Sequence, residues 1–66
     1  MKIRWINKYS NETGYVKNID YKKKHFNNTF NEDEAKNFSS ETNVNKAIAK
    51  LNEYGEGDNN YFEIVS

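Results

Sequence analysis

The chain has a single histidine, His25, and histidine is the side chain that most often serves as a general base near neutral pH. A nucleophilic relay needs a further group that orients the imidazole, but the residues just before it, Lys22 to Lys24, are all cations. There is no cysteine, which excludes thiol nucleophiles, cysteine-bound zinc and disulfide bonds. We therefore predict no catalytic residue, and the chain is not expected to be an enzyme.

Acidic residues form two clusters whose spacing bears on metal binding and acid–base chemistry. The first, Glu32 to Glu34, follows Asn31, and this order is typical of a capped helix start with acids at the positive end of the helix dipole. The second, Glu56 to Asn60, lacks the distal bidentate glutamate of a calcium-binding loop. The three glycines do not form a phosphate-binding motif. We expect no metal and no cofactor.

Formal charges cancel over the whole chain but not along it. Residues 1–30 contain seven basic and two acidic residues, a net charge of +5, whereas residues 31–66 contain three basic and eight acidic ones, a net charge of −5. One interpretation is that the two halves attract each other inside one small fold. The other is that the fold presents one basic and one acidic face, each available to a partner.

The acidic face that we predict for partner binding surrounds the end of a predicted helix and consists of Glu53, Glu56 and Asp58. Because the helix dipole favours cations at this end, Glu53 and Glu56 add little to folding stability. A basic partner, such as the nucleic-acid groove of a nuclease, would gain from them. The alternative is a solvated polar loop without a binding role.

The competing binding face is basic and consists of Lys17, Lys22, Lys23 and Lys24. Cations of the N-terminal half are interleaved with aromatic residues, namely Trp5, Tyr9, Tyr15, Tyr21 and Phe26. Lysines that hold a phosphate backbone and rings that stack on bases are the features of single-strand binders. Nucleic-acid binding by this basic aromatic hairpin is therefore the alternative function, although a pI near 6.6 is low for such a protein.

Hydrophobic periodicity predicts how the strands are arranged. The predicted strands are residues 2–9, 15–21, 26–30 and 61–65. The first two form a hairpin around a turn at residues 10–14, in which Gly14 supplies a positive φ. In the second strand, alternation places Tyr15, Ile19 and Tyr21 on one face, and in the third it places Phe26 and Phe30 together.

Two helices are predicted between the third and last strands. A short one begins at Asn31 and carries Ala35 and Phe38, and a longer one is capped by Ser39 or Ser40 and ends before Gly55. The apolar stripe of the longer helix consists of Val44, Ala47, Ile48 and Leu51. Residues 1–66 are thus predicted to form a single α+β domain, a small antiparallel sheet of three to four strands with one main amphipathic helix on one face.

Composition limits the size of the hydrophobic core and indicates where the protein is located. Hydrophobic residues make up only 35% of the 66 residues, so the ten aromatic side chains must supply most of the core. No apolar run approaches the length of about 20 residues that crosses a membrane. The first residues become polar too soon for a signal peptide, so we expect a cytoplasmic protein with no membrane partner.

Five segments of the chain form a recognisable set, namely Gly14 to Val16, Thr29-Phe30, Glu34 to Phe38, Ala47 to Leu51 and Tyr61 to Val65. Together they resemble small uncharacterised proteins encoded by phages and mobile elements of AT-rich Gram-positive bacteria. The resemblance implies a non-catalytic module that binds a host protein stoichiometrically, including as an inhibitor of a defence nuclease such as a CRISPR effector. Inhibitors that mimic DNA are strongly acidic, whereas this chain is neutral, so mimicry over the whole surface is not expected.

Overall fold

The computed structural model describes residues 1–66 and has an α+β fold, as predicted. The strands are β1 (Lys2–Asn7), β2 (Thr13–Asp20), β3 (His25–Thr29) and β4 (Asn60–Val65), and the helix is α1 (Glu41–Glu53). They form one antiparallel sheet in the order β3-β2-β1-β4. Single 3₁₀ turns at Glu32–Glu34 and Glu56–Asp58 lie on either side of α1. No helix is long and apolar enough to cross a membrane.

Helix α1 follows the predicted pattern at both ends. The Ser40 hydroxyl accepts a hydrogen bond from the Asn43 N–H at 3.2 Å, which caps the first turn. Gly55 follows the last turn with φ +90°, a left-handed conformation that glycine adopts without a steric penalty. Of the predicted stripe, Val44, Ala47 and Leu51 are buried, and Ile48 is partly buried at the edge of the core.

The core lies on one face of the sheet, which we call the helix face. Ile3, Trp5 and Val16 from the sheet pack there with Val44, Ala47, Leu51 and Phe38. Only two of these seven side chains are aromatic and four of the ten rings are more than half exposed, so the expectation that aromatic residues supply most of the core is wrong. Directly paired residues share a face, so Gly14 and Phe62, the partners of Trp5, also belong to the helix face. The opposite face, the outer face, carries Arg4 with its partners Tyr15 and Glu63.

Gly14 is a strand residue rather than the turn residue that we predicted. A Cβ at this position would lie 2.6 Å from Cζ2 of Trp5 and 2.9 Å from the carbonyl oxygen of Thr29. The missing side chain therefore makes room for the indole ring. In the preceding turn the positive φ belongs to Asn11, at 62°.

A β-bulge in β2 overturns the predicted face of Ile19. The pairing with β3 skips one residue between Val16 and Asn18, so Lys17 is the extra residue. The bulge shifts the alternation by one, and Ile19 packs against the core while Tyr15 stays on the outer face. Tyr21 lies in the turn after β2. The prediction that these three side chains share a face is wrong because strict alternation cannot anticipate a bulge.

The short helix predicted from Asn31 onward is also absent. The Asn31 side chain accepts from the Asp33 N–H at 2.9 Å, but the chain makes only a 3₁₀ turn, and Ala35 is already extended. The Lys36 N–H then donates to the Val16 carbonyl at 3.0 Å, and the Phe38 N–H donates to the Met1 carbonyl at 2.7 Å. Extended backbone that bonds to β2 and to the residue before β1 replaces the helix.

Candidate functional site

Ion pairs join the two halves of the chain at the outer face. Lys2 lies 4.0 Å from Glu32, and Arg4 lies 3.4 Å from Glu63. The interpretation that the halves attract each other inside the fold therefore holds for these cations. It does not hold for the predicted binding faces, which lie elsewhere.

The predicted acidic residues surround the C-terminal end of α1, and we call Glu53, Glu56 and Asp58 the acidic end. Glu53 is paired with Lys50 at 3.3 Å, one turn back on the exposed surface of the helix. No cation lies within 4.0 Å of the carboxylates of Glu56 or Asp58. The helix dipole adds partial negative charge at the same place, so the acidic end carries negative charge that the fold does not compensate.

Hydrogen bonds hold the backbone of the acidic end in place. The Asp58 N–H donates to the Gly55 carbonyl at 3.1 Å, and the Asn60 side chain donates to the Glu56 carbonyl at 3.1 Å. A Cβ at Gly57 would collide with the Asn52 side chain, so the turn packs closely on the end of α1. Glu56 is therefore presented from a fixed position.

Glu56 lies in the wall of a cavity of about 210 Å³ on the helix face. The cavity is lined by Trp5, Asn7, Phe26, Asn28, Glu56 and Asn60. Each of the two aromatic lining residues packs edge-to-face on a neighbouring ring. Phe26 packs on Phe62 at 5.7 Å and Trp5 packs on Phe30 at 5.8 Å between ring centroids. We call this site the acidic cavity.

The side-chain amides of the acidic cavity have unused hydrogen-bonding capacity. The Asn7 Oδ1 accepts from the Tyr9 and Ser10 N–H groups, which leaves its Nδ2 free. Asn60 uses its Nδ2, so its Oδ1 is free, and Asn28 makes no side-chain hydrogen bond. The cavity therefore presents free oxygens from Asn28 and Asn60 together with free amide donors from Asn7 and Asn28, and Glu56 adds a carboxylate that favours a cationic N–H donor.

Sequence reasoning found Glu56 but missed the rest of the acidic cavity. The missed signal is an aromatic residue two positions from an asparagine on three different strands, in Trp5-x-Asn7, Phe26-x-Asn28 and Asn60-x-Phe62. Residues two apart on a strand share a face, so the three pairs line one surface when the strands assemble. Because 12 of the 66 residues are asparagine, this spacing does not stand out in the sequence.

The predicted basic residues lie toward the other end of α1. Lys22, Lys23 and Lys24 form the turn between β2 and β3, and Lys17 is the bulge residue of β2. The Asp20 carboxylate accepts from the N–H groups of Lys23 at 2.9 Å and Lys22 at 3.1 Å, and these bonds lower the pKa of Asp20. None of the four lysines lies within 4.0 Å of a carboxylate.

A cleft of about 420 Å³ adjoins this turn, near the start of α1. Tyr21 from the turn lines it together with Lys36 and Lys46, and neither lysine is in an ion pair. We call Lys22, Lys23, Lys24, Lys36 and Lys46 the basic end. Lys36 and Lys46 were not among the predicted site residues, because both lie in the acidic half of the sequence.

Most aromatic residues of the N-terminal hairpin are engaged within the fold. Trp5 is only 7% exposed, and the Tyr15 hydroxyl donates to the Glu32 carboxylate at 3.1 Å. This hydrogen bond, with burial and the charge of Glu32, raises the pKa of Tyr15, against a smaller opposing effect of Arg4. Only Tyr9 and Tyr21 of the predicted stacking residues are more than half exposed.

The chain was also compared with known proteins. No protein-family model, no curated protein and no solved structure matches it.

Proposed function

We propose that this protein is a non-catalytic binding module that docks on a basic protein surface through its acidic end, with a lysine or arginine side chain of the partner in the acidic cavity. The observation that carries the proposal is Glu56, which lines the cavity with Trp5 and Phe26 and whose carboxylate has no cation within 4.0 Å.

Three interactions favour a guanidinium or ammonium group there. A carboxylate forms charge-assisted hydrogen bonds with it, and the amide oxygens of Asn28 and Asn60 accept further N–H groups. Of the two lining rings, the partly exposed Phe26 attracts a cation through its quadrupole. The C-terminal end of α1 adds a negative potential that draws basic partners toward the site.

The resemblance to small phage proteins supports a host protein as the partner. Under this proposal the module works in the cytoplasm of a bacterial host and binds stoichiometrically. A defence nuclease such as a CRISPR effector fits the required chemistry, since its nucleic-acid groove is lined by cations. Inhibition would then follow from occupation of that groove.

A purified peptide tests the proposal without knowledge of the partner. We expect acetylated hexa-arginine amide to bind the wild type, measured by calorimetry at low salt. Glu56→Gln keeps the shape but removes the charge and should weaken binding about tenfold, the scale of one lost charge-assisted contact. Glu41→Gln, which removes an exposed carboxylate from the first turn of α1, is the matched control and should change affinity by less than about twofold. Equal loss in both variants would contradict the proposal.

Nucleic-acid binding is the second candidate function, and the unpaired lysines of the basic end favour it. Five cations without carboxylate partners would bind a phosphate backbone in a salt-dependent way. In a mobility-shift titration, a twelve-nucleotide single strand should bind the wild type at low salt and lose affinity steeply as salt rises. The triple change Lys22→Gln, Lys23→Gln and Lys24→Gln should reduce both affinity and salt dependence. No shift at low salt would dispose of this candidate.

A further inference from the structure

Strand β4 is an edge strand, and its hydrogen-bonding pattern shows which backbone groups face outward. The Lys8 N–H donates to the Asn59 carbonyl at 2.8 Å, which makes Asn7 and Asn60 a non-hydrogen-bonded pair of the β1–β4 ladder. By alternation, Tyr61, Glu63 and Val65 bond to β1. The N–H and C=O groups of Asn60, Phe62 and Ile64 therefore point away from the sheet.

The β4 edge lacks the features that prevent an exposed edge strand from pairing with a strand of another chain. It has six residues, no proline, no lysine and no bulge, and its single charge is Glu63. Tyr61 is 60% exposed and Ile64 38% exposed. The opposite edge, β3, is shorter and presents the poor strand formers Asn27 and Asn28 to solvent. Of the two edges, only β4 is suited to adding a strand.

We propose that β4 pairs with β4 of a second copy of this chain, antiparallel, with Phe62 directly opposite Phe62. A two-fold axis perpendicular to the sheet relates the copies and joins them into one eight-stranded sheet. Asn60 then faces Ile64 of the second copy, and the outward backbone groups form about six hydrogen bonds between the chains. Tyr61 faces Glu63 of the second copy on the outer face.

Charge complementarity selects the second copy and this register. The Lys8 ammonium lies over the Tyr61 ring, 4.8 Å from its centroid. In the proposed register Glu63 of the second copy, which Arg4 of its own chain pairs at 3.4 Å, comes next to that ring and ammonium, so each carboxylate lies between two cations. Shifting the register by one step so that Phe62 faces Ile64 would place the two Glu63 carboxylates directly opposite each other, which is destabilising.

The ring at the centre of the interface is already ordered within each chain. Phe62 is held edge-to-face by Phe26, at 81° between the ring planes. Because the ring is fixed before the copies meet, pairing costs little side-chain entropy. Edge pairing uses the backbone of β4 and does not involve the basic end, but Asn60 belongs both to this edge and to the acidic cavity.

Sedimentation equilibrium between about 10 μM and 1 mM tests the proposal, a range suited to an interface of this small size. We expect the wild-type mass to rise from 7.8 kDa toward twice that value. Ile64→Pro removes an outward N–H without breaking the β1–β4 ladder, so it should weaken dimerisation at least about tenfold. Asn28→Pro at the β3 edge is the matched control and should dimerise like the wild type. A wild type that stays at 7.8 kDa throughout would overturn the proposal.

Two further variants test the proposed β4 pairing even if a proline variant fails to fold. A synthetic chain with an N-methyl group on the Phe62 amide blocks the same edge without changing any side chain, and it should remain monomeric. Glu63→Gln tests the register, and we expect it to dimerise several-fold more weakly because it loses attraction to Lys8 of the second copy. Unchanged or tighter dimerisation of Glu63→Gln, or dimerisation of the N-methylated chain, would contradict the proposed pairing.

Discussion

The two ends of α1 carry opposite charge but are built differently. The helix has 13 residues, so its ends lie about 18 Å apart. At the basic end, lysines on long flexible side chains surround a cleft, and the depressions at both ends are open to solvent. At the acidic end, Glu56 extends from a 3₁₀ turn that is fixed on the helix and forms part of a cavity with aromatic and amide walls.

This difference separates a charged surface from a site with defined geometry. A group of lysines attracts anions of many shapes, and its affinity falls as salt screens it. A carboxylate beside ring faces and amide oxygens selects both the charge and the shape of a ligand. The helix dipole increases the magnitude of the electrostatic potential at both ends, because its positive end lies near the lysines and its negative end lies near the acidic residues.

The largest expected effect comes from the hydrophobic anchor of the acidic end. Leu51 is fully buried, two residues before Glu53, and Leu51→Ala should lower the free energy of unfolding by about 2–5 kcal/mol. Thermal or urea unfolding measures this loss. Val44→Ala at the other end of α1 removes fewer buried atoms and should cost less. An unchanged melting temperature for Leu51→Ala would contradict the packing of α1 on the sheet.

Gly14→Ala should disturb the acidic cavity by displacing the Trp5 ring, which lines it. The new methyl group would collide with the Trp5 ring and the Thr29 carbonyl, and the strain should cost about 1–3 kcal/mol of stability. Because Trp5 lines the acidic cavity, we expect hexa-arginine binding to weaken while any binding at the basic end is unchanged. Calorimetry at a temperature where the variant is folded checks this, and equal affinity for the peptide would show that the Trp5 wall has no role.

Reversing the acidic end should leave the fold intact and remove the peptide site. In the variant Glu53→Lys, Glu56→Lys and Asp58→Lys, cations replace acids at the helix C-terminus, which the dipole favours by a few tenths of a kcal/mol or more. The loss of the Lys50–Glu53 ion pair offsets this gain, so the melting temperature should stay about the same, and hexa-arginine binding should fall below detection. Persistent binding by this variant, together with loss of binding when Lys22 to Lys24 are changed to glutamine, would assign the function to the basic end instead.

The smallest expected effect is a pH dependence of the basic turn. Asp20 has a pKa below its ordinary value, chiefly because the Lys23 N–H donates to its carboxylate, with Lys22 contributing and burial opposing. The turn is therefore stabilised above the ordinary aspartate pKa of about 3.9, and this contribution is lost as the pH falls through the lower folded value. The Lys23 amide proton shift should titrate with a midpoint below about 3.9, and Asp20→Asn should abolish the titration. A midpoint at or above 3.9 would contradict the hydrogen bonds of the turn.

Elements governed by local chemistry were predictable from the sequence. The Ser40 cap, the apolar stripe of α1 and the left-handed Gly55 all depend on residues within a few positions of each other. The capping pattern at Asn31 misled because the same local hydrogen bond begins a 3₁₀ turn as well as a helix. There the Glu34 carboxylate accepts from the Thr29 hydroxyl at 2.8 Å instead of closing a capping box.

The parts that sequence reasoning missed depend on strand register. The bulge at Lys17 decides the face of Ile19, and the indole of Trp5 decides that position 14 must be glycine. The acidic cavity brings Asn7, Asn28 and Asn60 together from three strands, and no short segment of the chain contains that information. The acidic residues of the acidic end could be predicted from the sequence, but the aromatic and amide side chains that surround Glu56 in the acidic cavity could not.

An NMR titration of the ¹⁵N-labelled protein with hexa-arginine amide tests the proposed docking site most directly. We expect saturable shifts of the Trp5 indole N–H and of the Asn7, Asn28 and Asn60 side-chain amides, all suppressed in Glu56→Gln and retained in Glu41→Gln. Shifts that spread evenly over all surface carboxylates, or that persist unchanged in Glu56→Gln, would contradict a cation site in the acidic cavity.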